Sequence, residues 1–139
     1  MRVRSVVTGP ELDLPKRSLA LLARRVAEGE RQPLNLQIIF TGDTVLRDLN
    51  HRYRHKDRTT DVLSFHIPGV PGLEPEGGEI YISLPQARRQ ARRFRHSLEA
   101  ELKRLVVHGT LHLLGFDHQR AAEARLMQAR ERHYLRHHQ

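Results

Sequence analysis

Three histidines stand at fixed spacings in one eleven-residue stretch, His108-Gly109-Thr110-Leu111-His112-Leu113-Leu114-Gly115-Phe116-Asp117-His118. His108 and His112 are four residues apart, so on an α-helix they share a face, about 6 Å apart along the axis. Gly115 can end that helix in the left-handed conformation that other residues avoid, and the chain can then fold back to bring His118 to the same point. Three imidazoles with a fourth position open is the arrangement of a catalytic zinc site rather than a closed structural one. Half-buried neutral histidines among Val106, Val107, Leu111, Leu113 and Leu114 need partners, and a metal supplies one to all three. The alternative is a set of packed core histidines. Imidazole ligands alone also suit nickel, copper or iron.

The same spacing occurs in metzincin proteases, with one difference. Those enzymes place Glu after the first His, as general base on the metal-bound water. Here that position is Gly109, which has no side chain to move a proton. The substitution argues against peptide hydrolysis and leaves the metal's task open.

At 139 residues the chain is expected to form one domain, residues 1–139, with 38% apolar residues and a mean hydropathy of -0.60. No apolar run approaches the ~20 residues of a membrane span. Met1-Arg2-Val3-Arg4 leads into a strand-like stretch rather than a signal peptide, so nothing addresses the chain for export. Cysteine is absent, which suits a reducing, cytoplasmic compartment and removes thiolate ligands. The net charge is +8, the pI is near 10.9, and Lys is confined to Lys16, Lys56 and Lys103. A small domain this basic suits a polyanion such as nucleic acid, although a codon bias toward Arg gives the same composition. Aromatic residues are too few for base stacking to dominate binding. The sequence sets no oligomeric state.

The pattern along the chain reads β-α-β-α-β-β-α-α-α. Val3–Val7 is a short strand, and Asp13 with Pro15 opens a helix to about Gly29 whose buried face is Leu19, Leu22, Ala23 and Val26. Leu34–Phe40 is a half-buried strand. A helix from Asp43 to about Tyr53 buries Val45, Leu46 and Leu49. Thr59–Phe65 returns to strand, 66–78 is a Pro- and Gly-rich loop, and Gly78–Ser83 is a further strand. Ser83-Leu84-Pro85-Gln86 is a capping-box signature for a third helix. Its apolar face is Leu84, Ala87, Ala91 and Phe94, and its basic face is Arg88, Arg89, Arg92, Arg93 and Arg95. Ser97 starts a fourth helix, apolar on several sides and therefore central, and about Arg120–Arg136 forms the last. The expected fold is α+β: a mixed four-stranded sheet packed with about five helices, with a metal site at the end of the central helix.

Taken together, these motifs resemble the YbeY family, the bacterial endoribonuclease and ribosomal RNA maturation factor. The histidine block carries most of the likeness. Leu49-Asn50-His51-Arg52-Tyr53-Arg54, Thr60-Asp61-Val62-Leu63-Ser64-Phe65 and Gly78-Glu79-Ile80-Tyr81-Ile82-Ser83 follow in the family's order, over about residues 34–131. The chain departs at His66-Ile67-Pro68, where the family has Pro directly after Phe. The resemblance implies a zinc-dependent endoribonuclease specific for single strands. It would act on ribosomal RNA and the small ribosomal subunit, in 3′-end maturation and quality control. It also implies that Arg54 is essential beside the histidines. A guanidinium fork suits the charge that develops on phosphate oxygens, so Arg54 is the candidate for that role and His108 acts with its metal-bound water. Asp117 is a candidate base that could equally orient a histidine or cap the next helix. The Arg88–Arg95 face would hold the RNA backbone. A metalloprotease-like hydrolase and a non-catalytic ribosome-assembly factor with structural zinc are the rival readings.

Overall fold

The computed structural model describes residues 5–8, 16–32, 34–54, 62–116 and 120–136, with β1 and Arg54 described by backbone alone. The expected Asp13 cap and the start of the third strand at Thr59 lie outside these residues.

Helix α1 (Lys16–Gly29) buries Leu19, Leu22, Ala23, Val26 and Ala27, which recur at the helical period and make one apolar stripe. It stops without a glycine at the left-handed position, although Gly29 is its last residue. The Gln32 N–H reaches the Ala27 carbonyl and the Arg31 N–H reaches the Glu28 carbonyl, both at 3.0 Å, with Arg31 at a φ of 57°. This is a Schellman motif with Arg in the left-handed position usually given to Gly.

Strand β2 (Asn35–Thr41) alternates and buries Leu36, Ile38 and Phe40. It runs parallel to β4 (Gly77–Ser83), with Ile38 opposite Ile80 and Phe40 opposite Ile82. β3 (Val62–Ile67) is antiparallel to β4, and β1 (Ser5–Thr8) lies parallel to the other side of β2. The mixed sheet has the order β1-β2-β4-β3. The segment expected as a loop is shorter than its composition suggests. β3 runs on to Ile67, β4 begins at Gly77, and Val70 pairs with Glu74 through bonds of 2.8 and 3.0 Å.

One face of the sheet is covered by α1 and by α4 (Leu98–Leu113), which shares its core with Leu36, Ile38, Phe40, Ile80 and Ile82. Ser97 caps α4 by accepting the Ala100 N–H at 3.0 Å. Leu102, Leu105, Val106 and Leu111 are fully buried, as expected for a central helix. α5 (Ala121–Arg136) lies outside α4 and α1, seated by Met127 and Tyr134.

Helix α2 (Asp43–Arg54) buries Leu46, but Val45 is 45% exposed, contrary to the expected face. Helix α3 (Leu84–Arg93) begins at Ser83, which accepts the Gln86 N–H at 3.2 Å. Gln86 does not close the capping box, because its side-chain oxygen takes Arg89 instead. α3 also ends earlier than its basic pattern suggests. Phe94 is the C-cap, Arg95 has a φ of 57°, and the His96 N–H closes on the Ala91 carbonyl at 3.0 Å. Phe94 is therefore 58% exposed rather than part of the buried face, and Arg95 lies beyond the helix.

Candidate active site

The last turns of α4 carry His108 and His112, and the turn that ends the helix also orients the second of them. Gly115 has a φ of 102°, a conformation that a side chain would strain. The Phe116 N–H then bonds the Leu111 carbonyl and the Gly115 N–H bonds the His112 carbonyl, each at 3.1 Å. That reversal places the Phe116 carbonyl 3.1 Å from His112 Nδ1. A carbonyl only accepts, so Nδ1 carries the proton and Nε2 the lone pair of the neutral ring.

His108 is anchored from another element. Its Nδ1 lies 2.7 Å from Glu131 Oε1 on α5, and the two side chains are 26% and 16% exposed. An ionised carboxylate likewise accepts from Nδ1–H. Metal-ligating histidines usually donate the second ring nitrogen to a carboxylate or a backbone carbonyl, which fixes ring and tautomer. Here one histidine has each kind of partner. This pair of donors fits a divalent transition metal bound through Nε2. Among the described residues no group of three His, Asp or Glu side chains gathers around one point. His118 and Asp117 lie outside the described residues, and Arg54 is described only as the last backbone position of α2. Glu131 carries no local sequence signal; its only mark is an acid on the face of α5 turned to α4.

Gly109 has a positive structural reason. A Cβ there would lie 2.8 Å from Ile80 Cγ2, 3.2 Å from Ser64 Oγ and 3.3 Å from Val62 Cγ2. The helix lies close on the β3–β4 pair, and the buried Ser64 hydroxyl donates to the Gly109 carbonyl at 3.0 Å. A glutamate at this position would point into the sheet. The protease's base is therefore excluded by packing as well as missing from the sequence.

The remaining histidines with described partners are engaged elsewhere. His66 Nε2 is 3.2 Å from Glu76 at the exposed end of β3, and His96 Nε2 is 2.8 Å from the fully buried Glu101. His133 packs edge-on against Tyr134.

The arginines of α3 and of the turn that ends it divide into two groups. Arg89 is tied down, with its guanidinium 2.7 Å from Asp43 Oδ2 and on the Gln86 amide oxygen. Asp43 also accepts from the Ser83 hydroxyl. That hydrogen bond, reinforced by Arg89 against the opposing effect of burial, holds the Asp43 carboxyl below its usual range. Arg89 is thus a brace between α2 and α3 rather than a member of an open basic face. Arg88, Arg92, Arg93 and Arg95 are exposed. Among the described residues no helix is long and apolar enough to cross a membrane.

Comparison with known proteins identifies a family. The family model described as Endoribonuclease YbeY matches residues 11–139. An Endoribonuclease YbeY of Anaeromyxobacter sp. (strain Fw109-5) is 46% identical over 113 residues, which is 81% of this chain and 55% of that protein. One from Aquifex aeolicus is 48% identical over 90 residues, 65% of this chain and 60% of that protein. One from Moorella thermoacetica is 42% identical over 120 residues, 80% of this chain and 77% of that protein. The chain thus spans little more than half the length of the first two relatives. The solution structure of TM1509 from Thermotoga maritima superposes with a TM-score of 0.64 at 28% identity, covering 96% of this chain and 87% of that one. The match over nearly the whole chain carries the histidine helix and its sheet together, and the chain belongs to the Endoribonuclease YbeY family.

Proposed function

We propose that this chain is a metal-dependent endoribonuclease that cuts single-stranded RNA. Its substrate is ribosomal RNA at the small subunit, in 3′-end maturation and quality control in the cytoplasm. The observation that carries the reading is the pair of anchored imidazoles, His108 on Glu131 and His112 on the Phe116 carbonyl. This arrangement prepares two Nε2 donors for one ion. His118 would complete the set, with one Zn²⁺ per chain, and nickel or another divalent metal could take its place in a purified sample.

When bound, such an ion supplies Lewis-acid stabilisation to phosphate oxygens and lowers the pKa of water toward ~7. The protein's own part is positional. Glu131 and the Phe116 carbonyl hold the imidazoles in one tautomer. Arg54, at the end of α2, offers a two-pronged guanidinium to the oxygens on which charge accumulates. Asp117 orients a histidine or takes a proton. The exposed arginines of α3 hold the RNA backbone, which makes binding salt-sensitive.

The contact of Gly109 with Ile80, Val62 and Ser64 disfavours the metalloprotease alternative, because no carboxylate fits at its base position. The test is paired. Metal content by plasma mass spectrometry and cleavage of a single-stranded ribosomal RNA fragment are measured for wild type, His112→Ala and Arg54→Ala. The nuclease reading expects both variants to lose cleavage and only His112→Ala to lose metal. Metal-loaded wild type that binds ribosomal RNA and cuts none would instead mark an assembly factor with structural zinc.

A further inference from the structure

We propose that the turn between α3 and α4 is a nucleotide-binding platform, on which Phe94 stacks an unpaired base while Arg88, Arg92, Arg93 and Arg95 hold the flanking phosphates. The inference rests on the reading of RNA as substrate and adds a binding surface at the N-terminal end of the helix whose last turns carry His108 and His112.

A lone exposed Phe needs no explanation. The setting of Phe94 is different. It is 58% exposed on a turn closed by the bond from the His96 N–H to the Ala91 carbonyl, at 3.0 Å. The Arg93 guanidinium carbon sits 5.5 Å from its ring centroid, within the range of a cation–π contact. On its other neighbour, the His96 ring lies 6.3 Å away, tilted by 36°. His96 is anchored in turn by Glu101, which is fully buried and also accepts two bonds from Arg104, at 2.7 and 3.1 Å. The aromatic surface is thus built on a rigid support that reaches the core of α4. Around it, no carboxylate among the described residues pairs with Arg88, Arg92, Arg93 or Arg95, in contrast to Arg89. Arg95 also keeps a left-handed backbone where Gly would be unstrained. Concentrated cations beside an exposed ring match the two faces of a single strand, its phosphates and its unpaired bases. A duplex would offer only the phosphates.

The test uses the full chain loaded with zinc and a fluorescein-labelled 2′-O-methyl oligouridine, a single strand without self-pairing, read by anisotropy across a salt series. Phe94→Ala is expected to weaken binding about tenfold with an unchanged salt slope, and Phe94→Tyr to restore it. Arg92→Gln with Arg93→Gln is expected to lower the slope by about 0.7 for each phosphate contact removed. Inorganic polyphosphate, which has charge and no base, should bind Phe94→Ala as it binds wild type. Wild-type oligouridine affinity in Phe94→Ala overturns the proposal. So does an equal loss for polyphosphate, or a loss confined to anionic phosphatidylglycerol vesicles, which would make the patch a membrane contact. Cleavage is not read in this assay, so the nuclease reading and the platform can fail separately.

Discussion

The contact of α4 with the sheet makes Gly109→Ala a quantitative probe of the fold around the histidines. The added methyl would meet Ile80 Cγ2 at 2.8 Å, well inside van der Waals contact, with Ser64 Oγ at 3.2 Å and Val62 Cγ2 at 3.3 Å. Ile80 is fully buried on a strand with partners on both sides, so its methyl has nowhere to go. Overpacking a tight core by one methyl is destabilising by about 1–3 kcal/mol. Replacing Gly by Ala inside a helix returns about 1 kcal/mol. The net is a loss of up to about 2 kcal/mol, or up to about 7 °C in Tm for a domain of this size. Calorimetry or chemical denaturation of the two proteins measures it. Removing the opposing side chain should relieve the clash, so Gly109→Ala in an Ile80→Ala background is expected to lose less than the sum of the single changes. A higher Tm for Gly109→Ala, or strict additivity with Ile80→Ala, would refute the close packing and with it the steric account of why no glutamate stands there.

Glu131→Ala should leave both histidines in place yet lower metal affinity about 10- to 100-fold, measured by competition with a chelating dye, because His108 loses the group that fixes its tautomer. Asp43→Asn should flatten the acid limb of the stability curve followed by urea unfolding. The folded carboxyl titrates below the unfolded value of 3.8. Its contribution is therefore present above that pH and is lost as pH falls through the lower folded value. Arg95→Gly removes a side chain from a left-handed backbone and should raise stability by about 1 kcal/mol in thermal unfolding, while weakening oligouridine binding.

Local patterns announced the elements and missed what joins them. The stripe of α1, the Ser97 cap and the Gly115 stop are short-range signals, each legible within a turn or two of chain. The end of α3 was not, because its Schellman turn is closed with Arg95 where Gly would have marked it. That single absence carries the sequence's basic face two residues too far and puts Phe94 on the apolar face, where the fold leaves it exposed. Arg89 looked like its neighbours because the carboxylate that ties it down, Asp43, is 46 residues away. Glu131 was invisible for the same reason, 23 residues from the histidine it orients.

Gly109 shows how the local and distant signals meet. From sequence it marked a lost general base; in the fold it sets the roll of α4. Gly109 faces Ile80, and Leu113, one turn on, lies against Gly78, where a Cβ would come within 2.5 Å of its Cδ1. These two residues are the sheet-facing line of the helix. His108 and His112 each precede one of them, and one residue is about 100° of rotation. Seating Gly109 and Leu113 on the sheet therefore turns both imidazoles away from it together, bringing His108 to α5 and Glu131. A larger residue at 109 would lift or roll the helix and move both donors at once. The glycine that removes a protease's base is thus also what aims the two histidines, and the same position accounts for the chemistry that is excluded and the geometry that is kept.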